Sequence, residues 1–253
     1  ADAEIMDDIL RPLVGFRKEQ GAGFVLVHES AQTLEEEVRF GQIFAVGAFA
    51  FEQVGRGVHA DAVCSLVNPE LLTCRKETCT VYDSAKMTLE EVIGAMLDAE
   101  EKGLTTVRLH TGDPCIYGAI REQMDLLDEK GIEYDSCPGV SAFCGAAAAL
   151  NLEYTLPDVS QSVVITRMAG RTPVPDRECI RSFAKHHATM VVFLSTGLLE
   201  QLSAELVAGG FDADTPAAIV YKATWPEERK YICTVETYAQ CARENQNTKT
   251  ALM

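Results

Sequence analysis

From about Met87 onward, the sequence alternates between segments with helical spacing of apolar residues and short segments rich in β-branched residues. The pattern first predicts a helix over 88–102, capped by Thr88, and then a strand over 104–109. Gly103 separates the two, as glycine often does at the end of a helix. Because such alternation is typical of helices that cover a mostly parallel sheet, we expect an α/β fold.

The same alternation continues along the chain. It predicts further helices over 117–130, 141–150, 176–186, 198–208 and 235–244, and further strands over 132–137, 162–167, 189–194 and 217–222, with another strand beginning near 250. Residues 152–162 include Pro157 and several polar residues, so they resemble a linker and mark a candidate domain boundary. Before residue 65 the pattern is shorter, and it indicates strands at 24–28 and 43–46 and a helix at 33–38.

The net charge and the cysteines exclude several classes of function. A net charge of -16 repels a phosphate backbone, so we expect no nucleic-acid partner. No apolar run approaches the roughly 20 residues that cross a bilayer, and the first residues lack the pattern of a signal peptide. We therefore expect a cytoplasmic protein with no membrane partner. The cysteines include no CxxC pair, which argues against a metal site.

Two turns follow predicted strands and open predicted helices, which is where open α/β sheets bind their ligands. The first is LHTGDPCIYG, residues 109–118, in which Gly112 lets another group approach the backbone and Asp113 can accept hydrogen bonds. The second is CPGVSA, residues 137–142. On successive strands, these two turns would line one rim of the sheet. Each of them, taken alone, is also an ordinary turn with a helix cap.

Two later segments place cationic and aromatic side chains at strand ends. TRMAGRTPVP, residues 166–175, sets Arg167 and Arg171 around a glycine, and arginine pairs well with carboxylates. The alternative is that both arginines are solvated on a mobile loop. YKATWPEE, residues 221–228, holds the only tryptophan of the sequence, which either fills the core or covers a flat ring or a cofactor base.

A glycine pattern near the N-terminal end offers a different function. Residues 55–60, GRGVHA, satisfy the spacing of a dinucleotide-binding loop. We reject this interpretation, because no convincing strand, helix and second strand with a ribose-binding acid surround the segment. The pattern is the sole support for a nicotinamide-dependent oxidoreductase.

Taken together, the segments resemble the tetrapyrrole methylases, and most closely their branch of precorrin-4 and cobalt-precorrin-4 C11-methyltransferases. The matching runs, in order along the chain, are SLVNPELL at 65–72, HTGDPCIYGAIREQM at 110–124, PGVSAF at 138–143, TRMAGRTPVP at 166–175 and YKATWPEE at 221–228. Each run is unspecific by itself, whereas the ordered set is specific.

The resemblance implies two α/β domains with a cofactor cleft between them, S-adenosylmethionine as the cofactor, a tetrapyrrole (precorrin) substrate and a homodimer. The chain then divides into an unassigned segment over 1–41, an N-terminal α/β domain over 42–155, which is the precorrin-binding half and is partly degenerate, and a C-terminal α/β domain over 156–253. The implied reaction is C11-methylation in cobalamin biosynthesis. In it, a ring carbon displaces S-adenosylhomocysteine from the methyl group, with no metal or covalent nucleophile.

The resemblance also identifies site residues. The cofactor-binding residues that it implies are Thr111, Gly112, Asp113, Ile116, Ser141, Ala142, Leu194 and Ala223. From their charge, we infer that Arg167, Arg171 and Lys222 bind carboxylates of the substrate. No residue of the sequence identifies itself as a general base.

The N-terminal part departs from the family pattern. Residues 43–48 resemble the first strand of the family and 60–63 a remnant of the second, but 49–52 stand where a glycine-proline loop is expected. The last strand is expected to be truncated. Besides an active C11-methyltransferase, two interpretations within the family therefore stay open. One is a degenerate, catalytically weak cofactor-binding or dimerisation module, and the other is a methylase that acts at another ring position.

Overall fold

The structure, a computed structural model, describes residues 42–45, 60–64, 72, 77–245 and 251–253. The chain forms two compact units, Ala1–Ser141 and Ala142–Met253. This division precedes the domain boundary that we predicted after residue 155, because the helix beginning at Ala142 packs on strands of the second unit. The strand predicted over 24–28, the helix over 33–38 and residues 55–59 of the glycine pattern lie outside the described residues.

The first unit contains a parallel sheet. Its strands are β1 (Gln42–Ala45), β2 (Ala60–Cys64), β3 (Val81–Asp83), β4 (Thr105–Leu109) and β5 (Tyr134–Ser136). Their order across the sheet is β3-β2-β4-β1-β5, and each neighbouring pair is parallel. Every residue of β4 is buried, as expected for a central strand covered on both faces. The strands predicted from residues 43, 104 and 132 are confirmed as β1, β4 and β5.

Helix α1 (Leu89–Glu101) begins where the sequence predicts. The hydroxyl of Thr88 accepts the N–H of Glu91 at 3.3 Å, and the carboxylate of Glu91 accepts the N–H of Thr88 at 2.7 Å. This capping box satisfies two N–H groups that the first helical turn leaves without partners. On its other face the helix buries Met96 completely, so α1 is fixed both by its cap and by the core.

Helix α2 (Arg121–Glu129) starts later than the helix that we predicted from Tyr117. Tyr117 and Ala119 have positive φ angles of 56° and 50°, which a right-handed helix excludes. A Cβ atom on Gly118 would lie 2.2 Å from the carbonyl oxygen of Pro114, so the chain folds back closely on itself at this glycine. The predicted start was wrong because apolar spacing does not reveal such a turn.

The second unit combines short helices with strands of both directions. The structure describes here β6 (Val163–Arg167), β7 (Thr189–Phe193), β8 (Pro216–Tyr221), β9 (Arg229–Thr234), β10 (Ala251–Leu252), α3 (Ala142–Leu150), α4 (Ile180–Ala184), α5 (Leu199–Gly209) and α6 (Tyr238–Glu244). Three of the predicted elements, the strands from 162, 189 and 217, are confirmed as β6, β7 and β8. Strand β9 was not predicted, because its charged start resembles a loop.

The strands of the second unit are joined through Met253. The N–H of Val192 donates to the carbonyl oxygen of Met253 at 2.7 Å, and the N–H of Met253 donates back to Val192 at 3.3 Å. Such a reciprocal pair is an antiparallel contact, and β10 is also antiparallel to β8, so β10 lies between β7 and β8. Since β6 and β7 are parallel, β6, β7 and β8 all end at one edge of the sheet.

The core of the second unit lies between this sheet and helices α4, α5 and α6. Leu202 and Ile219 are fully buried there, and the half-buried Tyr231 and Phe211 pack around them. Full burial of a side chain of leucine size contributes about 2 kcal/mol to folding. In the parts of the chain that the structure describes, no helix is both long enough and apolar enough to cross a bilayer.

Candidate functional site

In the first unit, the two loops singled out by sequence follow β4 and β5. Both strands end at the same edge of the parallel sheet, and β1 lies between them. The side chain of Asp113 connects the loops. Its Oδ1 accepts the N–H of Cys115 at 2.8 Å, and its Oδ2 accepts the N–H of Gly139 at 2.7 Å. The expectation that the two turns line one rim is therefore confirmed.

The environment of Asp113 keeps its carboxylate ionised. Partial burial acts to raise the pKa of Asp113, but the hydrogen bonds from Cys115 and Gly139 outweigh it and hold the pKa below its ordinary value. An ionised carboxylate accepts both N–H groups more strongly than a neutral acid would. The carboxylate is therefore ionised, and able to accept both bonds, over the whole neutral pH range.

The loop after β4 carries residues that the sequence predicted beside a ligand. Gly112 has a φ angle of 75°, a left-handed conformation that glycine adopts without strain. Thr111 beside it is exposed, Ile116 is half-buried and Pro114 is buried under the loop. Near the second loop, Ser141 is buried with 7% exposure. The left-handed turn at Gly112 lets another group approach the backbone closely, and Ile116 offers an apolar contact.

A buried polar chain supports the loop after β4 from below. The Nε of Arg108 donates to the side-chain oxygen of Gln123 at 3.3 Å, and the amide of Gln123 donates to the carbonyl of Ala119 at 3.0 Å. Arg108 also donates to the carbonyl of Leu109 at 3.1 Å. Both Arg108 and Gln123 are buried, so they fix the left-handed turn at Ala119. Sequence analysis missed them, because a buried arginine in a strand gives no periodic signal.

His110 is a further residue that our list of site residues omitted. It follows β4 directly, precedes Thr111, and is only 6% exposed. Burial is the main cause that lowers its pKa to about 4, and the nearby charge of Arg108 lowers it further, while Asp113 opposes the shift. The imidazole is therefore neutral at physiological pH. The signal in the sequence was the histidine next to the glycine-aspartate-proline turn.

In the second unit, loops follow β6, β7 and β8 at one edge of the sheet, and those after β6 and β8 are the two segments singled out by sequence. Leu194 after β7 is 71% exposed and has a φ angle of 54°, and after β8 the φ angles of Lys222 and Thr224 are 47° and 71°. Left-handed backbone at residues other than glycine costs about 1 kcal/mol or more and is concentrated at functional sites. The assignment of Leu194 and Lys222 to the site stays a prediction.

Helix α3 and the turn after β8 are in contact within this unit. Ala223 packs against the cluster that contains Ala146 and Val220. A Cβ atom on Gly145 would lie 3.5 Å from the Cβ of Ala223, so the helix and the turn are already close. Ala142, the first residue of α3, is half-buried. The structure thus brings the neighbourhoods of Ala142 and Ala223 together.

The two arginines of the loop after β6 differ in their surroundings. Nη1 of Arg167 donates to the carbonyls of Met168 and Thr172 at 3.1 and 3.2 Å, and Nη2 donates to Pro173 at 3.0 Å. Arg171 is exposed, and among the residues that the structure describes it has no hydrogen-bond acceptor. Arg167 therefore shapes the loop, whereas Arg171 is available to a ligand.

Lys222 and Trp225 form a small cluster at the end of β8. The ammonium group of Lys222 lies 4.6 Å from the centre of the Trp225 ring and 3.6 Å from a carboxylate oxygen of Glu227. The N–H of Thr224 donates to Glu228 at 2.7 Å, which holds the turn. The half-buried tryptophan thus carries a cation on its face, an arrangement that neither of our two interpretations of this residue included.

Comparison with known proteins identifies the family to which this architecture belongs. The family model described as Tetrapyrrole (Corrin/Porphyrin) Methylases matches residues 54–239. The chain belongs to the tetrapyrrole methylases. The resemblance inferred from the ordered motifs is thereby confirmed, and so is the α/β fold that it implied.

One relative of this tetrapyrrole methylase is the cobalt-precorrin-4 C(11)-methyltransferase of Methanocaldococcus jannaschii, which is 46% identical over 189 residues, or 75% of this chain and 73% of the relative. A solved structure of cobalt precorrin-4 methyltransferase matches with a TM-score of 0.78 and 34% identity, over 90% of this chain and 96% of the other. A solved structure of uroporphyrin-III C-methyl transferase from Thermus thermophilus, complexed with S-adenyl homocysteine, matches with a TM-score of 0.69 over 84% of this chain and 95% of the other. Because its sequence identity is 20%, this match shows the fold alone.

Proposed function

We propose that this tetrapyrrole methylase transfers a methyl group from S-adenosylmethionine to C11 of precorrin-4 or cobalt-precorrin-4 in cobalamin biosynthesis. The observation that carries the proposal is the similarity to the cobalt-precorrin-4 C(11)-methyltransferase, which spans most of both chains. The motif runs at 166–175 and 221–228 support this ring position over other ones, because they are the runs by which the chain resembles the C11 branch.

The residues present fit S-adenosylmethionine. A methionine moiety needs backbone hydrogen-bonding groups, which the turn at Gly112 can offer, and an apolar contact, which Ile116 can offer. When bound, the cofactor supplies a methyl group on a positively charged sulfur. The neutral imidazole of His110 adds no positive charge beside the rim, so it is compatible with such a cation. The proposed cofactor residues are Thr111, Gly112, Asp113, Ile116, Ser141, Ala142, Leu194 and Ala223.

Binding of the tetrapyrrole substrate is proposed to depend on positively charged side chains. Precorrins carry acetate and propionate arms, and the exposed guanidinium of Arg171 is suited to a bidentate contact with one of them. Lys222 is held by Trp225 and Glu227 and can contribute a second positive charge. We propose that Arg167 contributes to substrate binding through the loop that its hydrogen bonds hold. Local cations of this kind are needed because the net charge of -16 otherwise repels a polycarboxylate.

The setting of the enzyme follows from the same family membership and from the charge. We propose a homodimer in the cytoplasm that acts on a soluble tetrapyrrole, with neither nucleic acid nor membrane as a partner. The support for the absence of a nucleic-acid partner is the acidic composition, since a phosphate backbone is repelled by it. Sedimentation of the purified protein at several concentrations tests the homodimer.

The proposal is tested by incubating the protein with S-adenosylmethionine and precorrin-4, with and without cobalt, and by following the mass of the tetrapyrrole. Gain of one methyl group with stoichiometric S-adenosylhomocysteine is expected. A protein that binds S-adenosylhomocysteine in calorimetry but methylates neither form is the degenerate module instead. Binding of NAD in place of S-adenosylhomocysteine would support the oxidoreductase that we rejected.

A further inference from the structure

We propose that Asp113 is a positioning residue that holds the loop over residues 137–141 in its cofactor-accepting conformation, instead of contacting the cofactor with its own carboxylate. The inference rests on the proposed function, since it assigns a role within the proposed cofactor rim. It differs from the direct contact that the family resemblance implies for Asp113.

Backbone donors already engage both oxygens of this carboxylate. Cys115, in the same loop, donates to Oδ1 at 2.8 Å, and Gly139, in the other loop, donates to Oδ2 at 2.7 Å. Hydrogen bonds of this length to an ionised acceptor are strong and fix the plane of the carboxyl group. The side chain therefore spans the two loops and is not poised toward open solvent.

The side chain of Asp113 also links two loops that start far apart. Strands β4 and β5 are second neighbours, with β1 between them, and adjacent strands are about 4.8 Å apart. The two loops thus begin about 10 Å from each other. The loops converge from this separation until Oδ2 of Asp113 lies 2.7 Å from the backbone nitrogen of Gly139, so this bond sets their spacing there. Because Gly139 lies two positions before the buried Ser141, the bond also sets where Ser141 and the exposed Val140 lie.

Only an ionised carboxylate of this length can accept from Cys115 and Gly139 at once. In Asp113→Asn the amide keeps one acceptor oxygen but turns an NH₂ group toward the other N–H donor. The asparagine variant therefore loses one of the two hydrogen bonds while the side chain keeps its size. Asp113→Ala removes both bonds and also shortens the side chain.

The experiment compares wild-type protein with Asp113→Asn and uses Asp83→Asn as the matched control. The carboxylate of Asp83 also accepts an N–H two positions further on, from Ala85 at 3.2 Å, and otherwise pairs with the exposed Lys86 at 2.9 Å. Amide hydrogen exchange at Gly139 is measured by NMR in the protein without ligand. Affinity for S-adenosylhomocysteine, KM for S-adenosylmethionine and kcat are then measured on the same preparations.

For Asp113→Asn we expect exchange at Gly139 to accelerate about tenfold or more and the affinity for S-adenosylhomocysteine to fall by a similar factor. KM for S-adenosylmethionine should rise more than kcat falls. The Asp83→Asn control should change none of these quantities. Loss of affinity with unchanged exchange at Gly139 would overturn the inference in favour of direct contact, and so would faster exchange with full affinity.

A measurement on the wild-type protein covers the case in which the variant does not fold. The amide proton shift of Gly139 should titrate together with the carboxyl carbon of Asp113 as the pH is lowered. A Gly139 shift that is insensitive to this titration would overturn the inference. If wild-type protein binds no S-adenosylhomocysteine, the proposed function falls and the inference with it, whereas a wild type that binds and methylates while Gly139 does not titrate overturns the inference alone.

Discussion

The guanidinium of Arg167 donates a hydrogen bond to the carbonyl oxygen of Pro173 at 3.0 Å, and thereby closes the loop that follows β6. Two further bonds, to Met168 and Thr172, complete the closure. At the base of the loop, the N–H of Met168 donates to the fully buried hydroxyl of Ser195 at 2.9 Å. The loop is therefore organised before any ligand arrives, which lowers the entropy that binding must overcome.

Replacing Arg167 with alanine should open this loop. Because three hydrogen bonds to carbonyl groups are lost, we expect the free energy of unfolding to fall by about 1–3 kcal/mol and trypsin to cleave faster after Arg171. Arg177→Ala is the control, since Arg177 is exposed and, among the residues that the structure describes, pairs with its neighbour Glu178 alone. Equal cleavage rates in both variants would show that Arg167 does not hold the loop.

Replacing Arg171 with alanine should affect the tetrapyrrole and not the cofactor. Loss of a charge-assisted contact to a carboxylate is expected to raise KM for the tetrapyrrole by about tenfold or more, while the affinity for S-adenosylhomocysteine stays constant. Steady-state kinetics at two salt concentrations measure this, because the contribution of Arg171 should shrink as salt is added. An unchanged KM would remove Arg171 from the substrate site.

Gly118→Ala should be destabilising, whereas Gly94→Ala should not. A Cβ atom at Gly118 would lie 2.2 Å from the carbonyl oxygen of Pro114, so we expect a loss of about 1–3 kcal/mol. At Gly94, in the middle of α1, nothing lies within 4 Å, and alanine should stabilise the helix by about 0.5–1 kcal/mol. Urea unfolding measures both changes, and a stable Gly118→Ala protein would contradict the tight turn.

His110 should make the protein less stable in acid. Its pKa is lowered from 6.5 to about 4 in the folded state, so between these pH values the unfolded chain binds a proton that the folded chain does not. The stability contribution is thus complete above pH 6.5 and is lost as the pH falls toward 4, by about 2–3 kcal/mol in total. His110→Gln cannot titrate, so its unfolding free energy should fall less over this window. Identical pH dependence in both proteins would refute the shift.

Most of the fold could be predicted, because helical and strand periodicities and the cap at Thr88 are local properties of the sequence. The start of α2 could not, since the turn at Gly118 depends on the close approach of Pro114. Strand β9 was missed for a related reason. Its first residues are charged, and it is a strand because it pairs with β8, which cannot be seen in the segment alone.

The sequence predicted which loops belong to the candidate site, but not what each residue does within them. The motif that contains Asp113 identified the loop, yet the bond to Gly139 depends on the order of strands, in which β1 separates β4 from β5. In the same way, charge alone made Arg167 and Arg171 equivalent, whereas the structure engages Arg167 in its own loop. Such roles arise from tertiary contacts between residues that are distant in sequence.

The most direct test of the account is the position of the transferred methyl group. The protein is incubated with precorrin-4, or its cobalt complex, and S-adenosylmethionine labelled with carbon-13 in the methyl group, and the product is analysed by carbon NMR. A single labelled methyl group attached to C11 is the predicted result. A labelled methyl group on any other ring carbon, or an unlabelled tetrapyrrole alongside intact binding of S-adenosylhomocysteine, would contradict it.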